Sequence, residues 1–510
     1  MSRCALWAAL LLLPLAACRK SGAITDPEDL CHEEEDGAFG SLTVCASGEV
    51  PNVYRVAWEA GEGTAWIDYG LDDAETRDVA RLTESTPASN GGEIAILGMK
   101  ANHSYAFQPV HLGTDGVEVR GDVHLVTTPA PPQYLPQFTI SDYDPSATFE
   151  GEGGVFLLSL IQGGESAVVV IDRDGEYLWY RGADGGFSIP SVHPSPNDAA
   201  FVYTQNDRFQ TSPYGGVVKI AVDGSYRTIT HSYNGHHDAI EVPGEDTITF
   251  LAAELGSAEV GGETMNIAGD TITETTLGAT EDSPVEVVYS LFSNYPYAPW
   301  EMCQHFNALA YNTDARDWSH SNSIMMAEDG NYYVMSKNFD ALMKVERSTG
   351  ALMWQIGDSL NNEILDGTHN GDFTFVGGDD DRWSHAHMSH VWGTGTSGGM
   401  AVFDNGYHHV DENGDPVARS RATEYAWDEE ARTVALVWDY PMPGNGFVPL
   451  LGDVRKLGNG NHLVSFTSSA ILQEIAGDDT VVWQAVGDVG NGTGRITFLK
   501  DLYTLDEEGP

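Results

Sequence analysis

The feature that most limits what this chain can become is a short unit that recurs from residue 168 onward. The unit is an apolar strand, a turn that in three of five instances is an Asp-Gly or Thr-Gly step, and a second strand that often ends in tryptophan. It appears as VVVIDRDGEYLWY (168–180), VVKIAVDGSYRTI (217–229), LMKVERSTGALMWQIG (342–357), ATEYAWDEEARTVALVWDY (422–440) and LQEIAGDDTVVWQAVG (472–487). EVVYSLF (286–292) reads as a further strand of the set. Glycine at these steps suits tight hairpin turns. Strand pairs every several tens of residues, with no long amphipathic helix between them, predict an all-β chain built as a β-propeller. At roughly 50–60 residues per blade, the stretch 137–505 holds about six. The segment 256–284, rich in Gly, Thr and Glu, reads as a polar surface loop inserted between strands.

A second, smaller unit precedes the propeller. VYRVAWEA (53–60), TAWIDYGL (64–71), GEIAILGM (92–99), HSYAFQPVHL (103–112) and VHLVTT (123–128) alternate as half-buried strands do. They predict a β-sandwich at 40–130, closed by the linker Pro129-Ala130-Pro131-Pro132. The order of WIDYG and NHSYAF resembles fibronectin type III and immunoglobulin-like domains, with Trp66, Tyr69 and Tyr105 as core.

The N-terminus reads as an address. Arg3 precedes the apolar run Ala5 to Leu15, too short to span a bilayer, and Leu15-Ala16-Ala17-Cys18 resembles a bacterial lipoprotein signal. That resemblance implies a signal peptide at 1–17, a lipid on Cys18 as the only membrane anchor, and a place in the cell envelope. Residues 18–39, with the run Glu33-Glu34-Glu35-Asp36, read as an acidic tether. Outside the cytoplasm Cys31 and Cys45 are candidates for a disulfide, and Cys303 for a buried apolar residue. Against 76 Asp plus Glu stand 25 Lys plus Arg, a net charge of −51. That balance excludes a nucleic-acid partner and docking on anionic lipid through a basic patch.

Seventeen histidines are many beside so few lysines and arginines, and they cluster. The groups are GHHDAI (235–240), CQHFNALAY (303–311), DWSHSNSI (317–324), RWSHAHMSHVW (382–392) and YHHV (407–410). In a propeller the inner strands of all blades meet at a central channel, so histidines far apart in sequence can share a site. A carboxylate at Asp238, beside His237, or at Asp317, before His320, is placed to hold its histidine in one tautomer.

In order along the chain come HHDAIEVPGEDTITFLAAE, DWSHSNSIMMAEDGNYYVMSKNFDALMKVERSTGALMWQIG, SHAHMSHVW followed by MAVFDNG, SRATEYAWD and GDVRKLGNGNHLVSF. Together these segments resemble bacterial arylsulfate sulfotransferases, also called arylsulfotransferases, over about residues 140–505. The resemblance implies a six-bladed propeller behind a β-sandwich, and transfer of a sulfuryl group from an aryl sulfate donor to a phenolic acceptor. It implies neither a nucleotide donor nor a bound cofactor. The family's His-Asp histidine falls on His237, with His236 the alternative, and the histidine before Asn-Ser on His320. The nucleophilic histidine falls on His387, with His385 and His390 close by. Where the family carries Ser-Arg, this chain has Ser336-Lys337, which keeps the positive charge but loses the planar fork that grips two sulfate oxygens. Lys337, with Arg316, Arg382 and the histidines, would have to offset the repulsion of an anion by the acidic chain.

Three other readings share the same residues. His385-x-His387-x-x-His390 has the spacing of a zinc or copper site for metal-dependent hydrolysis. VERSTGALMW resembles the blade-docking segment of quinoprotein dehydrogenases. A surface propeller that binds a ligand without turning it over is the non-enzymatic reading.

Overall fold

The computed structural model describes residues 30–72, 82–90, 92–162, 164–207, 214–260, 262–295, 314–357, 373–393, 396–410, 413, 415–488 and 492–505. The signal peptide, Cys18 and the CQHFNALAY cluster with Cys303 lie outside them. From residue 138 onward the strands form six sheets, the blades of a propeller, antiparallel except where the short strands Arg316–Asp317 and Thr374–Phe375 each add a parallel pairing. The innermost strands of blades 2 to 6 are Val192–Pro194, Gly235–Glu241, Ser321–Met326, His387–Trp392 and Asp453–Lys456. Blade 1 takes its inner strand, Thr493–Leu499, from the C-terminal end of the chain, paired with Val155–Gln162. Phe138–Tyr143, the first strand after the linker, pairs with the outer strand Val481–Gly487 of blade 6. Both ends of the propeller segment therefore close the ring.

The recurring hairpins are the outer strand pairs of blades, and their tryptophans explain the repeat. Trp179 of blade 1 donates from its indole to the Val222 carbonyl in the turn of blade 2, at 2.9 Å. Trp483 of blade 6 donates in the same way to Arg173 of blade 1, at 2.8 Å. Trp438 of blade 5 reaches Asp479 of blade 6, at 3.0 Å. The fully buried rings of Trp179 and Trp483 thus fill interfaces between blades while the one polar atom of each finds a partner; Trp438 is only half-buried. Full burial of such a ring contributes roughly 4–6 kcal/mol. Apolar clusters fill all six junctions; that between blades 2 and 3, around Val202, Val217, Ile248 and Phe250, is one of the smaller.

The segment 256–284 is largely strand as far as Thr276, and only its last residues form a loop. Thr247–Val260 and Glu263–Thr276 are long strands paired along their whole length, turned at Gly262 with φ of 89°. The TITETT alternation continues the strand period, and composition alone concealed it.

Residues 31–127 form two further antiparallel sheets around one core that includes Leu42, Val56, Ile67, Tyr69, Phe107 and Val126. The acidic tether ends earlier than its composition implies, because Cys31–Asp36 is a strand paired with Gly40–Ala46. The Cys31–Cys45 disulfide joins the two. Glu33 accepts from the Ser41 and Thr43 hydroxyls, and Glu34 and Asp36 both contact His124, so the acidic run is satisfied locally. This unit sits on blade 1: Asn52 donates to the Leu178 carbonyl, the Leu97 backbone N–H donates to the Tyr503 hydroxyl oxygen at 3.0 Å, and Lys100 pairs with Asp172 at 2.9 Å.

Candidate active site

Three histidines stand where the chain enters the inner strands of blades 3, 4 and 5, and at each place the backbone leaves regular strand geometry. His237 and His320 have φ of 52° and 49°, and Met388, next to His387, has φ of 45°. The pairing register breaks between His236 and Ala239, between Ser321 and Ser323, and between His387 and Ser389. Bulges of this kind re-aim side chains, and non-glycine residues held at positive φ gather at functional sites. Here they turn three imidazoles toward one another. The rings of His237 and His320 meet edge to face with centroids 4.8 Å apart.

His387 is buried, and its Nδ1 lies 2.7 Å from the Asn405 side-chain oxygen. The Asn405 amide has no freedom to turn over, because its nitrogen donates to the Val448 carbonyl at 2.8 Å and the Leu451 carbonyl at 3.1 Å. Its oxygen therefore faces His387, the His387 proton sits on Nδ1, and Nε2 carries a lone pair. Burial, with the Lys337 charge nearby, pushes the His387 pKa down to about 3, against the opposing hydrogen bond to Asn405. His387 is neutral at physiological pH.

His237 is held well below the ordinary histidine range by burial and then by His320, His236, His387 and Lys337 around it. Its Nδ1 is 2.9 Å from His236 Nδ1, and His236 Nε2 is 3.1 Å from Asp270. His320 Nδ1 contacts the Asp317 carboxylate. Lys337 follows the second strand of blade 4; its backbone N–H donates to the His320 carbonyl at 3.2 Å, and Asn338 clamps the Asp317 carbonyl at 3.0 Å. The loop carrying the lysine is thereby fastened to the loop carrying His320. His237, His320, His387 and Lys337 all converge.

Other expectations take a different form. Asp238 does not hold His237. It binds Arg495 at 2.8 Å, His193 at 2.7 Å, Ser191 at 2.6 Å and the Ile324 backbone at 3.0 Å, tying together blades 1, 2 and 4. The bulge at His237 points neighbouring side chains to different places, which adjacency in sequence does not reveal. His385, His387 and His390 do not share a focus: the His385 ring meets His408 at 3.2 Å, and His390 lies near Arg455 and Arg495. Among the described residues no group of three or more His, Cys, Asp or Glu is arranged to hold a metal ion. Arg382 lies over the Phe375 ring, 5.2 Å from its centroid. Asn405 belongs to the FDNG segment but had no assigned role; Asp270 had no signal, being far from any histidine in sequence.

No curated protein matches the chain. Among solved structures it is similar to a Bacteroides caccae protein of unknown function, at 14% identity and a TM-score of 0.36, covering 68% of this chain and 100% of that one. It is also similar to virginiamycin B lyase from Staphylococcus aureus, at 10% identity and a TM-score of 0.33, covering 72% of this chain and 97% of that one. The model of the arylsulfotransferase (ASST) family matches residues 144–496, which include all four converging side chains. The chain belongs to the arylsulfotransferase family.

Proposed function

We propose that this protein moves a sulfuryl group from an aryl sulfate to a phenol in two steps, through a sulfo-histidine at His387 and without a nucleotide donor. The observation that carries the reading is the fixed Nε2 lone pair of His387, next to Lys337 and two further histidines. In the first step Nε2 attacks sulfur, the S–O bond to the aryl group breaks with its electron pair going to the phenolic oxygen, and that oxygen takes a proton from His320 as it departs. Covalent capture divides one difficult transfer into two easier ones. The ring of sulfo-His387 is positively charged, and the Asn405 oxygen facing Nδ1 stabilises that charge without adding a full negative one. In the second step an acceptor phenol attacks the sulfur and His387 is released.

An aryl sulfate is an anion approaching a chain of net charge −51. Long-range repulsion is screened over about 8 Å at physiological salt, so the local charge of Lys337 decides binding within the site. Lys337→Ala is expected to lower kcat/KM for the donor by about 10²–10³. Lys337→Arg is expected to stay within about tenfold of the parent, since the charge is kept. Equal losses in both variants, measured by steady-state kinetics, would remove the lysine from sulfuryl binding.

The deciding experiment mixes the 19–510 fragment with a chromogenic aryl sulfate. Without acceptor, one phenol per site should be released rapidly; with a phenol present, release should continue. Saturable binding with no phenol release would leave the ligand-binding propeller standing, and activity lost to a chelator and restored by zinc would favour metal hydrolysis.

The lipid on Cys18 and a place in the cell envelope belong to the same proposal. They are supported by the Leu15-Ala16-Ala17-Cys18 sequence and by the Cys31–Cys45 disulfide, which suits an oxidising compartment. Cys18→Ala should move the protein from the membrane pellet to the soluble fraction; unchanged pelleting would refute the anchor.

A further inference from the structure

We infer that Asp270 and His236 are positioning residues that order the proton on His237, making His237 the base that deprotonates the accepting phenol. The inference rests on the transfer reaction proposed above. Asp270 and His236 are each 1% exposed, so neither exchanges its partners with solvent. One Asp270 oxygen accepts from the Ser319 hydroxyl, at 2.7 Å, and from the Ser321 backbone N–H. The other lies 3.1 Å from His236 Nε2. Although burial opposes it, contacts with His236, Ser321 and Ser319 hold the Asp270 carboxyl below its ordinary range, so it is an acceptor only.

The rest follows by elimination along the chain of contacts. Facing a carboxylate, His236 Nε2 carries the proton, so His236 Nδ1 is a lone pair. His237 Nδ1, 2.9 Å away, must then be the donor. Its proton spent there, His237 presents a lone pair on Nε2 to the site. In the second step the phenol oxygen forms a bond to sulfur. The S–Nε2 bond of sulfo-His387 breaks with its electron pair returning to Nε2, and the phenolic proton passes to His237 Nε2. From there it moves to His320, whose ring centroid is 4.8 Å away and whose own proton left with the first phenol. Acid and base are thus different residues, reset by one proton transfer.

Asp270→Asn tests this sharply. With Ser319 and Ser321 both donating to one side, the amide oxygen must stay there, and the amide nitrogen must donate to His236 Nε2. Both tautomers then reverse, and His237 offers an N–H where a base is needed. Nitrogen-15 spectra of histidine-labelled protein, assigned with His237→Gln, should show the His237 proton on Nδ1 in the parent and on Nε2 in Asp270→Asn. Turnover with acceptor should fall about 100-fold, while the first phenol release slows by less than about threefold. His236→Phe, should Asp270→Asn fold poorly, should lose the preference for Nδ1 and slow acceptor turnover about tenfold. A parent His237 protonated on Nε2, or equal slowing of both steps, overturns the inference. Absence of phenol release by the parent protein would sink the transfer reaction instead, and the spectra would still decide the tautomer.

Discussion

His387→Ala is expected to release no phenol from an aryl sulfate beyond the uncatalysed rate, and to transfer nothing to an acceptor, a loss on the order of 10⁴-fold or more. The expectation is this large because every later step acts on a bond that His387 forms. In the parent, a donor added without acceptor should leave the sulfuryl group on the peptide that contains His387, visible by mass spectrometry. Its pH dependence has a definite sign. Nε2 must be unprotonated to attack, and its pKa is pushed down to about 3. The first-turnover rate should therefore not fall as pH drops through 6.5, where an ordinary histidine would protonate. It should fall only as pH approaches 3, measured by brief pH jumps that precede unfolding. A trapped sulfuryl group on another peptide, or an acid limb near 6.5, would take the nucleophilic role away from His387.

The propeller was legible because its signal is periodic. A hairpin every few tens of residues, with tryptophan on the outer strand, repeats one physical demand: each blade must cover the next. Trp179 and Trp483 meet that demand with the same indole-to-carbonyl bond. Closure was not legible, since nothing local in Thr493–Leu499 says that it belongs with Val155–Gln162, more than three hundred residues earlier. The same division runs through the site. His237, His320, His387 and Lys337 stood in recognisable segments. What sets their proton positions did not, because Asn405 and Asp270 act through side-chain contacts between distant parts of the fold. Asp238 is the instructive error. Beside His237 in sequence, it spends its carboxylate on Arg495 and His193 instead, because a residue at positive φ between two strand residues separates their directions.

His320→Ala is expected to slow the first step by up to about 10⁴-fold for donors whose phenol is a weak acid, and by less than about tenfold for donors whose phenol is a strong acid. The difference arises at the leaving oxygen. A basic phenolate gathers charge as the S–O bond lengthens and needs a proton; a stable phenolate departs without one. His320 is suited to give that proton. Unlike His237 and His387, whose Nδ1 atoms face neutral partners, its Nδ1 faces a carboxylate, Asp317. It is also less enclosed than His387, with a quarter of its side chain open, so a spent proton can be replaced. A plot of log rate against leaving-group pKa should be shallow in the parent and steep in His320→Ala. Parallel lines would assign His320 to binding alone, and the proton would then have to come from His237, which reverses the division of labour between the two rings.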